Sequence, residues 1–145
     1  MNKEPVERAA ALLKSCGLRK TQPRVVILSA LLEADGPLTQ DQIAERIGKT
    51  APDKTTIYRT LMILVEHNLI HQAYIQGRSR YFEPAHHCRA DQCHPHFTCM
   101  QCHETRCLTD THPPLVQNLP AGFQIHRQQI RIEGICADCR MKNER

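Results

Sequence analysis

The apolar positions of the first half of the chain recur with the period of a helix, and they do so in four separate blocks. Residues 5–15 carry Val6, Ala9, Ala10 and Leu13 on one face, with Pro5 near the start and Gly17 past the end, which predicts an amphipathic helix. Residues 22–34 hold Val25, Val26, Leu28, Leu31 and Leu32 before Gly36-Pro37, and read as a largely buried helix. A third helix opens at Thr39, whose spacing to Gln42 is that of a capping box; it turns Ile43, Ala44 and Ile47 inward and stops at Gly48. A fourth runs from Asp53 to His67. There Ile57, Leu61, Leu64 and Val65 form the inner stripe, and Thr55, Thr56 and Arg59 fall away from it.

The period then drops to two. Residues 69–75 and 79–83 are strand-like runs on either side of Gln76-Gly77-Arg78, a hairpin signal. Three helices, a fourth with a polar N-terminal face and a hairpin are the order of a winged helix-turn-helix. In that fold the fourth helix enters the major groove with its N-terminal residues towards the bases. A plain helical bundle with a solvated polar face fits the same pattern, and periodicity alone leaves both open.

Beyond residue 83 the periodicity fades. Cys107-Leu108-Thr109 reads as the end of a strand, Pro113-Pro114 as the head of a short helix over 113–119, and Phe123, Ile125, Ile130 and Ile132 as strand-like alternation within 123–135. So few strands bury little and leave edges, which a second copy of the chain would cover. An aromatic core is not available either, because the chain has no Trp, three Phe and three Tyr. What this half does have is metal ligands: seven of the eight Cys and seven of the nine His follow residue 83.

Charge divides the chain at the same place. Residues 1–82 hold 12 Lys and Arg against 8 Asp and Glu, whereas residues 83–145 hold 7 of each, so the first part carries the whole net charge of +4. The excess is modest and by itself is weak evidence for nucleic acid. No run of 18 apolar residues is present, and Met1-Asn2-Lys3-Glu4-Pro5 lacks the apolar core of a signal peptide. The expectation is a cytoplasmic chain with no membrane partner. In a reducing compartment eight Cys argue for metal rather than disulfides.

Cys99-Met100-Gln101-Cys102 and Cys136-Ala137-Asp138-Cys139 are two C-x-x-C pairs, and four such thiolates can close a tetrahedral zinc site. One pair alone would leave a thioredoxin-type redox motif open. Two pairs, neither opening a βαβ unit, favour structural zinc. Further ligands gather just before them: Glu83, His86, His87, Cys88, Cys93, His94 and His96. Residues 84–96 are rich in Pro, Ala and polar residues and read as a hinge. His94-Pro95-His96 places two imidazoles on one side of an extended chain, which points to a second metal site; His86, His87 and Cys93 read equally well as facing water. A zinc deaminase would need H-x-E with P-C-x-x-C, and neither occurs, so no enzyme and no small-molecule substrate are expected. A zinc-ribbon adaptor without DNA binding remains as a reading from another class.

These features together resemble the ferric uptake regulator superfamily over nearly the whole chain. The matching stretches are Gly17-Leu18-Arg19-Lys20-Thr21-Gln22-Pro23-Arg24, Thr56-Ile57-Tyr58-Arg59-Thr60-Leu61, Tyr81-Phe82-Glu83, His94-Pro95-His96-Phe97-Thr98-Cys99-Met100-Gln101-Cys102 and Gly134-Ile135-Cys136-Ala137-Asp138-Cys139. The resemblance implies an α+β chain: a winged-helix DNA-binding domain over 1–83, a ligand-bearing hinge over 84–96 and a small zinc-binding α/β dimerisation domain over 97–145. It implies a homodimeric repressor that binds an inverted-repeat operator in double-stranded DNA when metal fills a site at the hinge. By position, Cys99, Cys102, Cys136 and Cys139 match the structural zinc ligands. Arg19, Thr55, Tyr58 and Arg59 are the expected DNA contacts. His71, Glu83, Cys88, His94 and His96 are the expected regulatory ligands, with Cys93 and Cys107 as further sulfur donors.

The chain also departs from the family pattern: Gln128 stands where a His is usual, Pro95 replaces the acidic residue within H-x-H, and residues 88–93 are an insertion. The first two put a third metal site in doubt. Sulfur near the sensing site favours zinc over ferrous iron. The branch expected is therefore the zinc uptake regulator, with a ferrous-iron sensor as the alternative.

Overall fold

The computed structural model describes residues 2–85, 94–108, 110–126 and 128–145. The chain divides into two compact units, Met1–His86 and His87–Arg145. The division falls inside the stretch read as a hinge.

The first unit begins with four helices, α1 (Lys3–Ser15), α2 (Gln22–Glu33), α3 (Gln40–Ile47) and α4 (Lys54–Glu66), followed by the hairpin β1 (Ile70–Gln76) and β2 (Ser79–Pro84). Its core draws on every element: Ala9 and Leu13, Val26 to Leu31 of α2, Ile43, Ile57, Leu61 and Leu64, then Leu69, Ile70 and Phe82. Helix α2 is buried nearly all round, and its one buried hydroxyl, Ser29, turns back to the Val25 carbonyl at 2.7 Å. The capping box of α3 is formed: Thr39 Oγ1 accepts from the Gln42 N–H, and the Gln42 side chain accepts from the Thr39 N–H.

The hairpin turns on two residues, since Gln76 pairs with Ser79. Gly77 takes a positive φ of 60° while Arg78 does not, which a hairpin turn with glycine at its first central position requires. The hairpin is tied to the start of α3 by a pair of backbone hydrogen bonds between Leu38 and Phe82, at 2.9 and 2.8 Å.

The second unit is a three-stranded sheet of order β4-β3-β5, from β3 (His96–Cys99), β4 (Thr105–Cys107) and β5 (Arg131–Gly134), with a closing helix α5 (Ala137–Asn143). Strand β3 pairs antiparallel to β4 and parallel to β5. A Cβ on Gly134 would stand 3.1 Å from the Phe97 ring, so glycine allows β5 to close against that ring.

Two expectations fail in this unit. Residues 113–119 form no helix. Val116 and Leu119 are exposed, so an apolar face there has nothing to bury against, and Gln128 takes the local backbone groups by accepting from the Val116 N–H and donating to the Pro114 carbonyl. The strand read over 123–135 shrinks to β5, and Phe123 is exposed. Helix α5 was not foreseen: it opens after Cys136, which makes no side-chain capping bond, and Cys139 is its one buried residue, so no apolar stripe marks it. Among the described residues no helix is long and apolar enough to cross a membrane.

Candidate metal centres and nucleic-acid interface

Strand β3 ends at Cys99, and the turn after it carries Cys102. Cys136 caps α5 and Cys139 lies in its first turn. The parallel pairing of β3 with β5 brings the two knuckles together, with Cys99 opposite Gly134. All four sulfurs lie within 4.8 Å of one another, and Cys102 and Cys136 approach to 3.8 Å. Cys99, Cys136 and Cys139 are buried and pack on Phe97.

The Cys99 sulfur accepts from the backbone N–H groups of Gln101, Cys102 and Cys136 at 3.4, 3.5 and 3.4 Å. The N–H of Cys102, then that of Cys136, lowers its pKa to about 6, so this sulfur is held as thiolate. Its neighbour Cys139 is pushed the other way, to about 12, first by its hydrogen bond to Cys136 and then by burial. Four sulfurs this close cannot all ionise without a cation among them. A divalent soft cation is what this donor set fits. Around it, the Gln101 and Asn143 amides pair reciprocally, and Arg106 reaches Asp138 at 3.4 Å.

A second set of ligands opens the same unit. His94 and His96 are buried, their rings 4.7 Å apart between centroids. Cys107 ends β4 directly opposite His96. The donor atoms of His94, His96 and Cys107 lie within 4.8 Å of one another. In the first unit, His71 on β1 faces Glu83 on β2, and His71 Nε2 donates to Glu83 Oε1 at 2.7 Å. Glu83 is 2% exposed, so its carboxyl group is buried at the end of the wing and meets His71 there. Cys88 lies outside the described residues, as do His86, His87 and Cys93. Cys107 was read from sequence only as one sulfur donor among several; its register opposite His96 is what gives it a place.

The residues expected to meet DNA are all exposed on the first unit. Arg19 follows α1, and its carbonyl accepts from the Arg24 guanidinium at 3.0 Å. Thr55, Tyr58 and Arg59 stand on the outer side of α4, opposite buried Ile57, Leu61 and Leu64. The start of α4 is fixed by Asp53, which accepts from the Thr56 hydroxyl at 2.7 Å and the Thr56 N–H at 2.9 Å. Those two bonds, the hydroxyl first, hold the Asp53 carboxyl below its ordinary range. Sequence reading missed Lys54, Arg78 and Arg80, which line a groove beside Tyr58. For Arg80 the signal was available: it stands two residues before Phe82 on the same strand, β2.

Comparison with known proteins agrees with this architecture. Residues 15–133 match the model of the ferric uptake regulator family. A ferric uptake regulation protein of Campylobacter jejuni is 25% identical over 144 residues, covering 92% of this chain and 87% of that protein. Among solved structures, a zinc uptake regulator complexed with zinc and DNA superposes with a TM-score of 0.67 at 18% identity, over 99% of this chain and 97% of that one. The Helicobacter pylori ferric uptake regulator superposes with a TM-score of 0.58 at 18% identity, over 95% and 93%. At such identities the structural likeness shows the fold, an α+β chain. The family match covers most of the sequence and goes further: the chain belongs to the ferric uptake regulator family, and so is a metal-responsive transcriptional regulator rather than an enzyme.

Proposed function

We propose that the protein is a zinc-sensing repressor that binds an inverted-repeat operator as a homodimer and controls zinc uptake genes. The observation that carries the zinc reading is the donor set of the second centre. His94 and His96 supply nitrogen and Cys107 supplies sulfur within one cluster, and thiolate with imidazole suits zinc better than ferrous iron. Glu83, with His71 behind it, would add an oxygen ligand from the wing, and Cys88 is an alternative anionic ligand. A site that drew ligands from both units would, on filling, select one arrangement of the reading heads. Cys99, Cys102, Cys136 and Cys139 would hold a separate structural zinc. Double-stranded DNA would meet Arg19, Thr55, Tyr58 and Arg59, and a cytoplasmic location follows from that partner. The exposed Val116, Leu119, Phe123, Ile132, Ile135 and Met141 of the second unit support a second copy as partner.

The ferrous-iron reading has one observation in its favour: without Cys107 the site would be His94, His96 and Glu83, nitrogen and oxygen donors that suit iron. The test is DNA binding by the native protein, kept loaded at the four-cysteine site, across buffered free zinc and buffered ferrous iron. The duplex is selected by the metal-loaded protein from genomic fragments. Activation by zinc far below any effect of iron is expected. Activation by ferrous iron with zinc ineffective would overturn the zinc reading in favour of iron.

A further inference from the structure

Pro95 takes the place of the acidic residue that the family pattern puts between two histidines. The change removes a charged side chain from the second unit and sets a ring there. Pro95 is fully buried immediately before β3, and His94 and His96 on either side of it are 6% and 3% exposed. A proline ring locks its own φ, and its Cδ drives the preceding residue out of the helical region. The backbone that joins the two imidazoles therefore has little freedom of its own.

Hydrogen bonds pin the same backbone from both sides. The Pro95 carbonyl accepts from the Leu108 N–H at 2.9 Å, and the His96 N–H donates to the Ile130 carbonyl at 3.1 Å. Leu108 directly follows Cys107, which pairs with His96 across the sheet. The bond to Pro95 thus also fixes the end of β4, where the sulfur sits. The two rings lie 4.7 Å apart between centroids, and the donor atoms of His94, His96 and Cys107 lie within 4.8 Å of one another. All three come from one unit. Ligands on a free backbone lose conformational entropy when a metal gathers them, whereas ligands already held in the bound arrangement lose little. We infer that Pro95 is a positioning residue that preforms the half-site of His94, His96 and Cys107, so that metal loads onto three arranged donors of the second unit before the wing takes part. This inference rests on the reading of that cluster as the sensing site.

The test compares the native full-length protein with its Pro95→Val and Pro95→Gly variants. Valine keeps buried apolar bulk and frees φ; glycine frees it further. Each protein keeps zinc at its four cysteines and is titrated with buffered free cobalt(II), read by the absorption of the cobalt–thiolate bond. The valine variant should need about 2- to 5-fold more free cobalt for half-filling, and the glycine variant more again. At saturation all three spectra should coincide, because the same donors close on the metal. Competing zinc against cobalt should show the same shift in midpoint. The four-cysteine zinc should stay in place in all three proteins. Midpoints in both variants equal to the parent's would overturn the inference alone. A changed spectrum at saturation would mean that Pro95 shapes the filled site, and loss of the four-cysteine zinc would make it a packing residue of the whole unit; either overturns it. A parent that takes up no cobalt beyond its four-cysteine zinc would overturn the sensing-site reading, and this inference with it.

Discussion

Cys99 shows how single residues prepare a metal centre. Three backbone N–H groups converge on its sulfur and hold it as thiolate down to about pH 6, while Cys139 keeps its proton to about 12. In the metal-free protein the stabilisation of the Cys99 thiolate is fully present above its ordinary value of 9.0 and is lost as pH falls through about 6, because folding lowers that pKa. Zinc must displace a proton from Cys139 at neutral pH but finds Cys99 already ionised, so binding releases protons. Apparent zinc affinity, measured by competition with a chromophoric chelator, should fall as pH is lowered and fall more steeply below about 6. A pH-independent affinity would contradict the four-sulfur site. Arg59 is the matching case on the DNA side: exposed on α4, it is proposed to make bidentate contact to guanine. Arg59→Ala should cost roughly 1–3 kcal/mol on the operator and much less on random duplex. Equal losses on both, measured by anisotropy, would make it a backbone contact.

Elements were legible where burial and capping agree with local pattern. The stripe of Ile57, Leu61 and Leu64 is the buried face of α4, and Thr39 and Gln42 form the capping box their spacing implied. Thr39→Ala should therefore lower the stability of the first unit by about 0.5–2 kcal/mol, read as a shifted denaturation midpoint with α3 retained. An unchanged midpoint would mean that the cap contributes nothing. The second unit was legible in its ligands and poorly legible in its elements. Its strands are four, three and four residues long, too short for alternation to stand out. Pro113-Pro114 suggested a helix start, but Gln128 claims the backbone groups at 114 and 116. Helix α5 is seven residues long and buries only Cys139. Where metal ligands replace an apolar core, hydrophobic period no longer marks the elements.

At the scale of the whole molecule, the two ligand clusters are proposed to have different duties. The four cysteines knit β3 to α5 within one unit, so losing their metal should weaken that unit and any dimer it makes. The cluster of His94, His96 and Cys107 is proposed to draw a further ligand from the wing, so its metal should govern DNA binding and leave the dimer intact. The most direct test of this division is the His96→Ala protein, assayed together for zinc content, sedimentation and zinc-dependent operator binding. The account predicts that it loses one zinc per chain, retains the four-cysteine zinc, sediments as the parent does and no longer binds operator at any buffered zinc level that activates the parent. Normal activation by zinc, or loss of the dimer together with the metal, would contradict it.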